Sequence, residues 1–174
     1  NFFLLQKFYE SIYLHIMKKK KQRLGQHFLA DTEVCAQIVD AANIKSGEHV
    51  LEIGPGRGAL TGLLCAKTDK ISLIEPDKRF FKLLKKLCPN AKIMENRAEH
   101  ADIGALPGPL VLISNLPYYA SVTIFKHCII HKANISRMVL MFQKEVAQRI
   151  SAEPGSRHYG SLSLFSRYHW AMDE

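Results

Sequence analysis

The stretch His49-Val50-Leu51-Glu52-Ile53-Gly54-Pro55-Gly56-Arg57-Gly58 decides the fold of this chain. Its first half reads as a short apolar strand and its second half as a glycine-rich turn, and the pattern from Ala59 to Lys67 continues as a helix. With Ala59, residues Gly54 and Gly56 fit G-x-G-x-x-G/A, a spacing that lets the backbone turn tightly and approach an adenosine-type cofactor. Glu75 closes the next apolar run, Ile71-Ser72-Leu73-Ile74, 21 positions after Gly54. A carboxylate there can accept both hydroxyls of a ribose. Pro55 removes one N–H from the turn. That is a loss for a pyrophosphate and costs little to a cofactor without phosphates, such as S-adenosylmethionine. Without a ligand, the same residues read as a close-packed strand–helix junction with a surface Glu.

Working outward, strands and helices alternate. Asp31 can cap a helix from Thr32 to Asn43 with Val34, Ile38 and Ala42 on one face. Asp77 can cap another that runs through Leu87, with Phe80, Phe81, Leu84 and Leu87 inward. Ala91–Met94 is a third, shorter strand, and a polar stretch to Gly108 leads into a fourth, Pro109–Ser114. Helices are expected over Ser121–His131 and Lys144–Ala152, with a fifth strand, Met138–Phe142, between them. No internal repeat or low-complexity segment interrupts the order. The pattern predicts an α/β fold: a Rossmann-like, doubly wound parallel sheet with helices on both faces.

A second stretch, Asn115-Leu116-Pro117-Tyr118-Tyr119, follows the fourth strand at once. In an open α/β sheet, ligands bind beyond the carboxyl ends of the strands. An Asn amide there offers an acceptor and a donor, Pro117 stiffens the backbone, and Tyr118 supplies a flat ring. An acceptor for an amine beside an aromatic plate suits the holding of a nucleobase. The plainer reading is a strand–helix turn with a capping Asn and two half-buried tyrosines.

Composition adds little to fold and something to partners. The 174 residues suffice for a domain with a real core, and the formal net charge of +8, with a pI near 9.4, favours a polyanionic partner. Lys18, Lys19, Lys20, Lys21 and Arg23 form a basic block, either a solvated arm or a sequence-blind phosphate-binding arm. Before it, residues 1–17 are apolar but interrupted, with no uninterrupted run near the ~20 residues that span a bilayer. They read as a non-native extension, or else as an amphipathic helix, with Met17 as initiator; the domain proper is expected over residues 18–174. Cys35, Cys65, Cys88 and Cys128 form no C-x-x-C and read as reduced thiols of a cytoplasmic protein. No metal site and no Ser/His/Asp or Cys/His pair stands at motif spacing, and the eight histidines are scattered.

As an ordered set, these motifs resemble the rRNA adenine dimethyltransferase family. The residues that carry the resemblance are Gly25-Gln26-His27-Phe28-Leu29, Glu52 to Thr61, Glu75-Pro76-Asp77 and Asn115 to Tyr119. Met141 to Ile150 and Tyr159 to Ser163 resemble its small-subunit branch in particular; the sister branch, acting on large-subunit rRNA, usually has Ile in place of Leu116. The resemblance covers roughly Lys20 to Trp170. It implies the fold of the class I S-adenosylmethionine-dependent methyltransferases, and dimethylation of the exocyclic amines of two adjacent adenosines in 16S rRNA of the pre-ribosomal small subunit. It implies S-adenosylmethionine as cofactor, with His27 and Leu29 at its methionine end, Gly54 and Gly56 at its backbone approach and Glu75 at its ribose. Asn115 bridges cofactor and target amine, the Pro117 carbonyl is a second acceptor, and Tyr118 stacks on the flipped adenine.

Two departures stand out. Arg97 occupies the position where the family carries an Asp that accepts from the cofactor's adenine amine, and a guanidinium has no acceptor. Glu99, Asp102 or a backbone carbonyl is left to replace it. The family also continues past Trp170 into a small helical domain, so the chain is expected to be truncated before it. The expected protein is a monomeric enzyme with no membrane partner. The competing readings are a non-catalytic assembly factor that binds pre-ribosomal RNA, a large-subunit rRNA adenine methylase, and an NAD-dependent oxidoreductase, which has no use for Asn115 to Tyr118.

Overall fold

A computed structural model describes Leu29 and residues 31–170. His27 and the basic block Lys18–Lys21 and Arg23 lie outside the described residues. Five parallel strands form one sheet: β1 (His49–Ile53), β2 (Ile71–Ile74), β3 (Lys92–Met94), β4 (Leu110–Asn115) and β5 (Ile135–Met141), in the order β3-β2-β1-β4-β5. The order reverses at β1, so the gap between the carboxyl ends of β1 and β4 is the switch point where such sheets hold ligands. Among the described residues, four α-helices accompany the sheet: α1 (Thr32–Ala41), α2 (Thr61–Cys65), α3 (Phe81–Leu87) and α4 (Ser121–Ile130). With right-handed crossovers, connections running outward from β1 in opposite directions put helices on opposite faces.

The central strands read as apolar runs because they are covered on both faces. Val50, Leu51 and Ile53 of β1, Leu73 and Ile74 of β2, and Leu110 to Ile113 of β4 are all buried. Asp31 caps α1 as expected, accepting from the backbone N–H of Glu33 (3.0 Å) and Val34 (3.2 Å).

Several boundaries differ for identifiable reasons. The glycine turn runs on to Leu60, so the helix after it is α2 (Thr61–Cys65) and not Ala59–Lys67. Asp77 caps a 3-10 turn, Lys78–Phe80, that precedes α3. Leu84 is fully buried, but Leu87, expected inward, is 38% exposed. Its Cδ1 lies where a side chain at Gly58 would go but is the end of a partly exposed chain that can swing aside, so it is the φ of +79° that requires glycine at 58. Asn115 is the last residue of β4 and pairs with Met141. Strand β5 starts three residues before the expected Met138, because polar Ser136 and Arg137 disguise it. Arg137 reaches across to the end of α1, donating to the carbonyls of Ala42 (2.7 Å) and Asn43 (2.9 Å), and forks onto Glu48 (2.8 and 2.5 Å). That guanidinium holds the Glu48 carboxyl down at about 2.

The cysteine expectation is corrected. Cys65, at the end of α2, and Cys88, just past α3, form a disulfide with a Cα–Cα distance of 5.7 Å. The carboxyl ends of two helices separated by a strand converge there, which nothing in a 23-residue spacing announces. Cys35 and Cys128 are free and buried. Among the described residues, no helix is long and apolar enough to cross a membrane.

The chain divides into two compact units, and the sheet belongs to the one ending at Met141. The second, described from Phe142 to Trp170, holds the helices α5 (Lys144–Ser151) and α6 (Ser161–His169). Arg167 of α6 donates to the carbonyls of Ala152 (3.1 Å) and Ser151 (3.3 Å) and pairs with Glu153, placing a cation at the carboxyl end of α5. Ser163 ties the pair further by donating to the Arg149 carbonyl at 2.5 Å.

Candidate active site

The glycine turn is built from left-handed residues: Gly54 and Gly56 have φ of +65° and +53°. Nothing lies within 4 Å of a Cβ built on Gly54, so its flank is open, as a backbone that approaches a ligand requires. The Gly54 N–H donates to the Ile74 carbonyl at 2.9 Å, which locks the turn onto the end of β2.

Glu75 follows β2 and is buried, 5% exposed. One carboxylate oxygen accepts from the Gly56 N–H and the other from the Asp77 N–H, each at 2.9 Å. The acid and the glycine turn, found separately in the sequence, are therefore in direct contact. Burial pushes the Glu75 carboxyl up, the two N–H donors pull against it, and the net shift is upward. Each oxygen keeps a further acceptor site for a ligand hydroxyl.

Glu52, in the middle of β1, is a group that the sequence reading did not single out. It is 2% exposed, and the Thr61 hydroxyl at the start of α2 donates to its Oε2 at 2.7 Å. Burial pushes its carboxyl up to about 8; the Thr61 bond lowers it and the Glu75 charge adds to the rise. Its signal in the sequence is a lone acid inside an otherwise apolar strand.

Ser114, also missed, donates to the Ile53 carbonyl at 2.6 Å in the buried interior. This bond joins the carboxyl ends of β4 and β1, so Asn115 starts its turn beside Gly54. Asn115 is half-buried, Leu116 is buried to 1% exposed, and Pro117 and Tyr118 are half-buried. The Pro117 carbonyl accepts from the Ala120 N–H (3.0 Å), and the Tyr118 carbonyl accepts from the Ser121 hydroxyl (3.2 Å). Two half-buried tyrosines were one expectation; only Tyr118 is, and Tyr119 stands 72% exposed.

Leu29 is half-buried ahead of α1. Arg97 follows β3 on an adjacent loop and pairs with Glu99, Nε to Oε1 at 2.7 Å, with a second contact at 2.6 Å. Burial would raise the Glu99 carboxyl, but backbone and Arg97 donors outweigh it and bring it down. Of the acids offered in place of the missing Asp, Asp102 caps the turn Ile103–Ala105 through the Ala105 N–H. Glu99 is the better shielded, its side chain 15% exposed.

Comparisons with known proteins agree with one another. The family model for ribosomal RNA adenine dimethylase matches residues 17–173. Ribosomal RNA small subunit methyltransferase A of Magnetococcus marinus is 43% identical over 150 residues, which cover 82% of this chain and 54% of that protein. The protein of the same name from Acidobacterium capsulatum is 39% identical over 165 residues, 91% of this chain and 58% of that one. The chain thus spans little more than half the length of these curated relatives. Among solved structures, a dimethyladenosine transferase from Plasmodium falciparum superposes with a TM-score of 0.73 at 34% identity, covering 81% of this chain and 52% of its own. The 23S rRNA methyltransferase ErmE superposes with a TM-score of 0.66 at 26% identity, covering 74% and 53%.

Proposed function

Because the chain belongs to the ribosomal RNA adenine dimethylase family, we propose that it dimethylates the exocyclic amines of two adjacent adenosines of 16S rRNA in the pre-ribosomal small subunit. Its fold is that of the class I S-adenosylmethionine-dependent methyltransferases. Residues 18–174 form the methyltransferase domain, acting as a cytoplasmic monomer. The observation that carries this reading is the Ser114–Ile53 bond, which sets the Asn115 turn next to the glycine turn and its acid.

The residues present fit S-adenosylmethionine. Gly54 offers an open, left-handed approach, Glu75 keeps acceptor sites for two hydroxyls, and Pro55 withholds an N–H that only a phosphate would need. Leu29, Gly54, Gly56, Glu75 and Asn115 would hold it, with His27 from the segment ahead and Glu99 in place of the position taken by Arg97. When bound, it supplies an electrophilic methyl group on a sulfonium centre.

The chain's own residues act on the amine. The lone pair of an adenine amine is delocalised into the ring. The Asn115 amide oxygen and the Pro117 carbonyl accept its two hydrogens and draw them out of plane, which localises that pair. The Pro117 carbonyl already accepts from Ala120 and uses its second lone pair here. Tyr118 stacks on the extruded base. No strong base is required, since the proton leaves after the bond has formed. Alignment is the main contribution, up to about 7–11 kcal/mol for a near-attack geometry.

Calorimetry with S-adenosylmethionine and with NAD tests the reading. The first should bind and the second should not. Glu75→Ala should weaken binding by about 1.5–3 kcal/mol for each charge-assisted bond removed. Binding of NAD instead, or unchanged affinity in the mutant, would overturn the assignment of this edge.

A further inference from the structure

We propose that Tyr119 is a second stacking plate, which holds the nucleobase next in the strand to the adenine that Tyr118 receives. This rests on reading the edge as an RNA adenine methylation site, and it assigns a contact to the neighbouring nucleotide.

The argument begins with exposure. Tyr119 keeps 72% of its surface in solvent, although its neighbours are covered: Leu116 is 1% exposed, Ala120 7% and Ser121 1%. Among the described residues of the same unit, the other large apolar side chain of comparable exposure is Ile130, at 75%. Ile130 ends α4, at the opposite edge of the sheet, from which β5 sets out. Tyr119 is therefore the large apolar side chain left bare on the ligand-bearing edge.

The backbone that carries the ring is held from both sides. Upstream, Asn115 is still in the ladder with Met141, Leu116 is anchored in the core, and Pro117 has a fixed φ. Downstream, the Ala120 N–H closes the turn onto the Pro117 carbonyl and the Ser121 hydroxyl onto the Tyr118 carbonyl. Tyr119 is the residue enclosed by those two bonds, so its backbone cannot swing to bury the ring. A rigid aromatic with only two side-chain torsions loses little entropy on binding.

The ligand class follows from the geometry of the reaction. A base extruded into the Tyr118 site leaves its strand neighbour unstacked, with a bare π-face of its own. Consecutive α-carbons lie about 3.8 Å apart, so a plate at Tyr119 is within reach of that neighbour. Stacking on an aromatic tolerates any base, because every base has a π-face. In a substrate with two adjacent adenosines, one is received by Tyr118 while its neighbour on the Tyr119 side rests on that second plate.

The test uses this chain and a short single-stranded RNA with two adjacent adenosines, one replaced by fluorescent 2-aminopurine. Wild-type protein should quench the probe at the neighbouring position. Tyr119→Ala should abolish that quenching and raise the Kd for RNA roughly tenfold, about 1.4 kcal/mol. Tyr119→Phe and Tyr119→Trp should restore both. Thermal melting and S-adenosylmethionine affinity should stay at wild-type values in all three variants. If Tyr119→Ala binds the RNA within twofold of wild type while Tyr118→Ala weakens it, the neighbour contact is wrong and the methylation reading stands. If the chain fails to bind S-adenosylmethionine at all, the reading beneath it falls instead.

Discussion

Asn115 and Tyr118 stand in one turn and should fail differently. If Asn115 holds the amine as proposed, Asn115→Ala removes an acceptor that works best once the amine has pyramidalised, and turnover should drop far more than RNA affinity. Tyr118→Ala removes a plate worth about 1–3 kcal/mol per base and should weaken capture, whereas Tyr118→Phe keeps the π-face and should be mild. Steady-state kinetics on precursor small-subunit particles separate the two; near-normal turnover in Asn115→Ala would remove it from the chemistry. Glu52 makes a prediction of another kind. Its carboxyl is pushed up to about 8 by burial, against about 4.3 when the chain is unfolded. The folded state therefore holds the extra proton between those values, and its stabilising effect is complete below the lower one. Stability from this group falls as pH rises through about 8, by at most about 1.4 kcal/mol per pH unit. Urea unfolding at intervals from pH 5 to pH 9 should show that decline in the wild type and a flatter profile in Glu52→Gln. An identical slope in both would mean the group is ionised in the fold. At this scale the sequence was half legible. Gly54, Gly56, Glu75 and Asn115 announce themselves by type and spacing. The exposure of Tyr119, the seclusion of Glu52 and the Arg97–Glu99 pair depend on what else surrounds them.

Elements were legible where their residues were uniform. Strands β1, β2 and β4 are apolar runs buried on both faces, and each was found with its carboxyl end within a residue of the observed one. The start of β5 was lost because Arg137 looks like loop until its partners between α1 and β1 are seen. Helix α6 (Ser161–His169) was not assigned at all; five of its nine residues are Ser, Phe or Tyr, which have no strong helix preference. The junction of α2 with α3 offers the test at this scale. The Cys65–Cys88 disulfide closes a loop of 23 residues around β2 and Glu75. Cross-linking a loop of that length stabilises a fold by about 3 kcal/mol in the chain-entropy account. Adding dithiothreitol should lower the melting temperature of the wild type and leave Cys65→Ser unmoved. A wild type indifferent to reductant would return these residues to the free thiols first expected.

For the whole molecule, the formal net charge of +8 favours a polyanion, and the proposed RNA affinity should fall with salt according to the phosphates that its cations neutralise. Replacing Lys18 to Lys21 with alanine should weaken RNA binding and make the log–log salt dependence shallower by about 0.7 for each single-strand phosphate that the block neutralises. Methyl transfer at saturating RNA should hardly change, and an unaltered salt slope would leave the block a solvated arm. The doubly wound class, the glycine turn with its acid, and the family could all be read from the residues in order. Those are written in local terms: apolar runs of strand length, glycines where φ must be positive, and motifs in a recognisable order. Which distant groups meet is a matter of packing in three dimensions. That packing set Glu75 against Gly56, joined Cys65 to Cys88, carried Arg137 to the Ala42 carbonyl across 95 residues, and buried Leu116 while leaving Tyr119 bare. Contacts of that kind follow from how helices and strands pack in three dimensions, and no window of neighbouring residues contains that information.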